Sequence, residues 1–265
     1  MIKRECFMIL KNKRTYIILM IMIAIVLYDL YSVYQNNVLA QLKAGGSIDL
    51  DSVYRPSFAG FLSGNSAGHY TTMLMDYLMP LYLLVIVGDA YITEYKTGCY
   101  QVLEVRASKR DIFISRLFAA FLTGFLTMFL VLMINYLLAL YLFHNGTYDN
   151  GLSALTHDMG LLTYEVKNPE LTYHIYIFTT SLIYGLCGVM CAAFSFYIKD
   201  MKILYGTCSL IWLILMLIPY NLVNCMQPFI EYGWDYILPA IFIYICFILL
   251  AILLGYRNKV KCDGL

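Results

Sequence analysis

Apolar residues fall into long runs along this chain, with none of the one-in-two alternation of a half-buried strand. The runs cover 15–34, 70–91, 112–143, 173–198, 203–218 and 236–256. About 20 apolar residues in helical form match the hydrocarbon core of a bilayer. In lipid every backbone N–H and C=O must be paired within the protein, which leaves helices or closed barrels, and the missing alternation selects helices. The pattern therefore predicts an all-α, polytopic membrane protein, with six transmembrane helices in one domain spanning 1–265. The 112–143 run exceeds one crossing, so it is expected to tilt or to project into water.

Between the runs lie a basic, imperfectly amphipathic segment at 1–14, polar segments at 35–69 and 144–172, and a charged segment at 92–111. Within 35–69, the stretch 58–62 is apolar enough to dip into the membrane interface. Gly185 and Gly188, with Ala192 and Ala193, form a small-residue strip that permits close helix packing in the fourth span. The basic start followed by an apolar run has the outline of a signal peptide. It leads into Asp29, Tyr31 and Tyr34 without a small-x-small cleavage site, and so reads as a retained first helix.

Composition agrees: 61% of the residues are hydrophobic, 13% are charged and the mean hydropathy is +0.70. A water-soluble domain carries about 25% charged residues, so this chain cannot face water all round. The net charge of +1 becomes informative only when sorted by segment. All of the 18 Lys and Arg except Lys43, Arg55 and Lys167 fall in 1–14, in 92–116, in the turn at 199–202 or in the tail after 256. That bias predicts cytoplasmic N- and C-termini and a cytoplasmic 92–111 segment, with 35–69 and 144–172 extracellular. Many of the 25 tyrosines sit near predicted outer boundaries, as an aromatic belt would place them. The outer segments hold Asp49, Asp51, Asp149, Asp158, Glu165, Glu170, Glu231 and Asp235. Such a face attracts cationic molecules, although any chain obeying the charge rule has an outer face poor in cations.

No phosphate-cradling GxxxxGK[ST] and no HExxH occurs, so the chain lacks a recognisable nucleotide or zinc-protease motif. His69, His144, His157 and His174 fall in or beside outer segments. The eight cysteines form no CxxC pair and read as inert, buried thiols. No metal site and no nucleic-acid interface is expected. Polar groups inside the spans that could do chemistry are scarce, and the candidates are Asp29, Asp76, Asp89 and Asn135. Asp76 lies about 9 Å into the second span at 1.5 Å per residue, where an ionised carboxylate costs on the order of 2.5–3.5 kcal/mol at most. Asp29, Asp76 and Asn135 are candidates for lining a translocation path. The alternative is that Asp29 and Asp76 snorkel to the outer headgroups, or that Asp76 is protonated.

The stretch 89–116, DAYITEYKTGCYQVLEVRASKRDIFISR, is the most informative. It resembles a cytoplasmic loop of the permease subunits of ABC-2 type ATP-binding cassette exporters. Glu94, Thr97-Gly98, Leu103, Ser108, Arg110 and Arg116 occupy matching places. The Gly and Thr stand in reversed order, and Arg106-Ala107 replaces the usual proline. This resemblance implies a coupling helix seated in an ATPase cleft, with Glu94, Lys96, Thr97, Gly98, Leu103, Glu104, Arg106, Ser108 and Arg110 carrying the coupling. It also implies two ATPase subunits, which would bind ATP and magnesium, and a second permease protomer, identical or homologous. The short length, with no fused ATPase, is similar to lantibiotic-immunity and bacitracin-type permeases of bacterial cell membranes. That likeness implies an amphipathic peptide, cationic antimicrobial peptides included, or a lipid-like compound as substrate. An exporter of a drug, ion or glycan with the same architecture, or a non-conducting scaffold or sensor subunit, fits the same residues.

Overall fold

The structure, a computed structural model, describes residues 1–45, 48–66, 69–152, 161–230 and 232–258. His157, Asp158, Glu231 and the basic tail from Lys259 onward lie outside the described residues. No strand is present among the described residues; the one β feature is an isolated bridge between Tyr54 and Tyr148.

Helix α1 (Ile2–Lys11) is separated from α2 (Lys13–Tyr34) by Asn12, whose extended backbone breaks the helix and whose side chain accepts from Arg14 N. The buried Thr15 hydroxyl donates to Ile9 O and holds the two helices at this corner. Beyond Tyr34 the helix does not stop where the first apolar run does. It continues through a π-turn (Gln35–Leu39) into α3 (Ala40–Gly45), so the polar 35–69 segment begins as helix rather than as loop. After a 3-10 turn capped by Asp49, the chain enters α4 (Pro56–Ala59) and a second 3-10 turn, Phe61–Ser63.

Within 58–62, Phe58, Ala59, Phe61 and Leu62 are buried inside the bundle. The break between two such short helical turns leaves backbone N–H groups without local acceptors, and burial makes an unpaired donor costly. Side chains from two long helices supply the acceptors. Phe61 N donates to Asn135 Oδ1 at 2.9 Å, and Leu62 N donates to the Tyr173 hydroxyl at 3.3 Å. Gly60 is what allows the Tyr173 ring so close, because a Cβ there would overlap that hydroxyl.

The second apolar run is also not one straight helix. It forms α5 (Tyr70–Tyr77), α6 (Met79–Leu83), a π-turn (Leu84–Gly88) and α7 (Asp89–Lys96), and the helix on either side of Leu78 bends by 51°. Pro80 explains the bend: it has no N–H to give the carbonyl four residues back, and its ring crowds that carbonyl. The orphaned carbonyl belongs to Asp76, and the indole N–H of Trp212 takes it at 2.6 Å. The Tyr82 hydroxyl donates to the Leu74 carbonyl, further back along the same helix. Trp212→Phe keeps an aromatic ring and removes the donor. It is expected to lower stability by about 1–3 kcal/mol, the cost of stranding a buried carbonyl, as read by thermal denaturation of the purified protein.

A left-handed Gly98 (φ +74°) separates α7 from α8 (Cys99–Arg106), placing a helix break at the glycine. Ser108 then caps α9 (Lys109–Leu142), accepting from Asp111 N at 3.1 Å. At 1.5 Å per residue α9 is about 51 Å long, well over the roughly 30 Å of a bilayer core. The chain returns through α10 (Leu161–Lys167) and α11 (Pro169–Tyr197). It turns at Asp200, which caps α12 (Met201–Leu217), and ends with α13 (Trp234–Tyr256).

Helix α11 is the hub, with 78% of its most apolar stretch buried. Its small-residue strip receives α9: a Cβ on Gly188 would lie 2.7 Å from Ala120 O, and one on Gly124 would lie 2.8 Å from Tyr184 O. At the C-terminal end of α11, Gly255 of α13 approaches Ala193 O in the same way. Among the described residues, four helices are long and apolar enough to cross a membrane, and the broken α5–α7 unit would make a fifth. The remaining expected span, 203–218, corresponds to α12, a shorter apolar helix of 17 residues.

Candidate functional site

The described parts of the segments rich in Lys and Arg come together at one end of the bundle, the basic end. Four charges there form a ring of alternating sign. Arg4 on α1 contacts Glu5 at 3.1 Å and Glu94 at 3.2 Å. On the other side Arg116 pairs with Glu94 and reaches Glu5 at 3.6 Å. Arg116 is the most deeply placed, 1% exposed, and its guanidinium carbon lies 4.4 Å from the centre of the Tyr91 ring and 5.1 Å from that of Tyr100. The Tyr91 hydroxyl in turn donates to Arg116 O. Aromatic faces and two carboxylates thus replace the water this cation would otherwise hold.

Burial pushes the Glu5 carboxyl above its usual range. Arg116 opposes that rise, the neighbouring Glu94 carboxylate adds to it, and Arg4 opposes it again. A second tie is made by Arg14, which bonds Asp89 at 2.8 Å while the Tyr205 hydroxyl donates to the other oxygen of that carboxylate. Lys199, after α11, lies 4.6 Å from the Tyr95 ring centre, and the Asn258 amide donates to Phe196 O. The amino-terminal helix, α7–α8, the start of α9 and the ends of α11 and α13 are therefore bound into one assembly.

The residues expected to carry coupling divide into two sets. Glu94 turns inward, its side chain 12% exposed, into the charge ring. Leu103 is buried in a small core with Tyr100, Ile112, Phe113 and Phe196. Thr97 closes α7 by donating to Thr93 O, Gly98 makes the left-handed break, and Ser108 caps α9. Glu104 is half-buried. Lys96, Arg106 and Arg110 are exposed. The outward face of α8 also shows Val102 and Val105, the latter 87% exposed. Neither those two valines nor Arg4, Glu5 and Arg14 on the amino-terminal segment stand out in the sequence as functional candidates. For the valines the period of α8 is the available signal: Leu103 and Tyr100 share one face, and Val102 and Val105 fall on the other.

The candidate path residues sit in different surroundings. Asn135 is fully buried and structural, accepting from Phe61 N and donating to Val26 O at 3.0 Å. Asp29 is buried as well and accepts from the Thr71 hydroxyl, tying α2 to α5 rather than snorkelling outward. Asp76 differs. Its Oδ1 accepts from the Tyr184 hydroxyl at 3.0 Å, and the residue lines a cavity of about 270 Å³ with His69, Thr72 and Gln227. Among the described residues no three His, Cys, Asp or Glu converge as a metal site would need.

The fold and this end-clustering define an all-helical bundle whose long apolar helices suit a membrane. Aligned over 256 residues, the chain is 31% identical to the uncharacterized protein YybM of Bacillus subtilis (strain 168), covering 96% of each. The chain belongs to the YybM family. No protein-family model matches it, and no solved structure does.

Proposed function

We propose that this chain is a permease subunit of an ATP-driven exporter in a bacterial cell membrane, with ATP and magnesium bound by two copies of a separate ATPase subunit. In this reading it crosses the membrane six times, α12 being the shortest crossing at about 26 Å, and both termini face the cytoplasm with the basic end. The carrying observation is α8: a short helix held from behind by Leu103 and Tyr100, presenting Val102, Val105 and Arg106 away from the bundle. An isolated apolar pair on a charged, cytoplasmic helix suits insertion into a cleft of another protein. The charge ring behind it supplies stiffness, so a push on α8 reaches α1, α9 and α11 as a rigid displacement. A second permease protomer completes the transporter. The substrate class is an amphipathic, cationic peptide or lipid-like compound, in keeping with the acidic outer segments.

The exposed valines give the cleaner test, because Glu94 also supports the fold. In membranes containing the chain and its ATPase, Val105→Glu with Val102→Glu is expected to cut substrate-stimulated ATP hydrolysis at least tenfold, while thermal stability and expression stay at the parent level. Stimulation persisting at full strength in that double variant removes α8 as the coupling element.

A further inference from the structure

The broken helix α5–α7 creates a site that the coupling scheme does not use. A carboxylate inside a membrane span is expensive and marks a functional site unless something neutralises it. Among the described residues no ion pair reaches Asp76: its Oδ1 has the Tyr184 hydroxyl, and its backbone carbonyl has the Trp212 indole. The cavity beside it, about 270 Å³, is large against the roughly 10–15 Å³ that one water needs. His69, Thr72, Asp76 and Gln227 supply its polar lining, and Met73 and Val223 its apolar lining. It lies toward the start of α5, away from the basic end. Discontinuous helices at membrane depth are where transported groups are held, because a bend frees backbone and side chains to face a cavity.

We propose that this cavity binds the cationic head of an amphiphile, an alkylammonium or guanidinium on an apolar stem, with Asp76 as its counter-ion. A single carboxylate flanked by hydrogen-bonding groups suits an organic cation, whose charge is satisfied by one anion and a few acceptors. A metal ion demands several anionic or imidazole ligands, and no such group is gathered here among the described residues. Met73 and Val223 provide the apolar wall that a stem requires, and the acidic outer segments raise the local concentration of cations. The site deepens the transport reading, on which it rests, by naming what the substrate presents, yet it is measurable without the ATPase.

The chain contains two tryptophans. In a Trp234→Phe background the remaining one, Trp212, is bonded to the Asp76 carbonyl and reports on the site. Titration of the purified full chain in nanodiscs with n-hexylammonium is expected to give a saturable change in its fluorescence. Asp76→Asn, and separately Val223→Phe, which fills the cavity and keeps the carboxylate, should each weaken binding at least tenfold. Asp29→Asn, a carboxylate in a neighbouring span outside the cavity, should leave it within twofold. Three results overturn the site: the same saturable change with hexan-1-ol, saturation by sodium or calcium alone, or binding within twofold of the parent in Val223→Phe. That last variant decides the matter even where Asp76→Asn fails to fold. Loss of the site with α8 coupling intact, or the reverse, separates this inference from the exporter reading.

Discussion

Arg116→Met is expected to destabilise the protein by about 3–5 kcal/mol, the cost of breaking a buried ion pair from one side. The substitution keeps much of the side chain's length and apolar contact, so the loss isolates the charge. It strands Glu5 and Glu94 against each other, with only the half-exposed Arg4 between them. At about 2–4 °C per kcal/mol the melting midpoint should fall by about 6–20 °C, measured by fluorescence-detected thermal unfolding of the detergent-solubilised chain. The companion variant Arg116→Met with Glu5→Gln and Glu94→Gln removes the stranded charges and should recover most of the loss, since neutralising both partners of a buried pair is often close to neutral. A midpoint for Arg116→Met indistinguishable from the parent would mean that the ring does not hold this end together. Glu94→Arg is predicted to destabilise for the same reason, so loss of coupling in that variant reports on folding before it reports on docking.

The ring also marks where the sequence stops being legible. Apolar run length finds the long helices, and the bias of Lys and Arg finds the end at which they gather, because both follow from solvation alone. Local chemistry finds the break at Gly98, which only a residue tolerant of positive φ makes without strain. The inward turn of Glu94 is not readable, because its partners come from 90 and 22 residues away and no local spacing encodes them. Arg116 reads in sequence as a basic residue opening a helix. Ser108 starts that helix two turns earlier, which moves Arg116 to a depth where it must be paired. Asn135 reads as a path residue because any polar group in an apolar run does. Its buried neighbours Val131 and Ala139, one turn to either side, place it on the core face of α9, where its task is to satisfy Phe61 N and Val26 O. The bend at Pro80 is implicit in the proline, but the donor that makes it tolerable, Trp212, lies in a helix far along the chain.

Two glycine-to-alanine changes should move stability in opposite directions. Gly188→Ala places a methyl 2.7 Å from the Ala120 carbonyl oxygen, and backbone cannot swing aside as a side chain can. The α9–α11 contact must open to admit it, and α11 is the helix on which most of the bundle packs. Overpacking of this kind costs about 1–3 kcal/mol, and without a hydrophobic driving force between helices in lipid, close backbone approach is much of what holds them together. A Cβ on Gly206, inside α12, would meet nothing within 4 Å. There alanine removes only the entropic penalty of glycine in a helix, and Gly206→Ala should stabilise by about 0.5–1 kcal/mol. Thermal unfolding of the two variants side by side checks this, with Gly188→Leu expected to lose folded protein altogether. Equal, small shifts for Gly188→Ala and Gly206→Ala would show that α9 and α11 are not packed backbone to backbone, and the hub assigned to α11 would go with them.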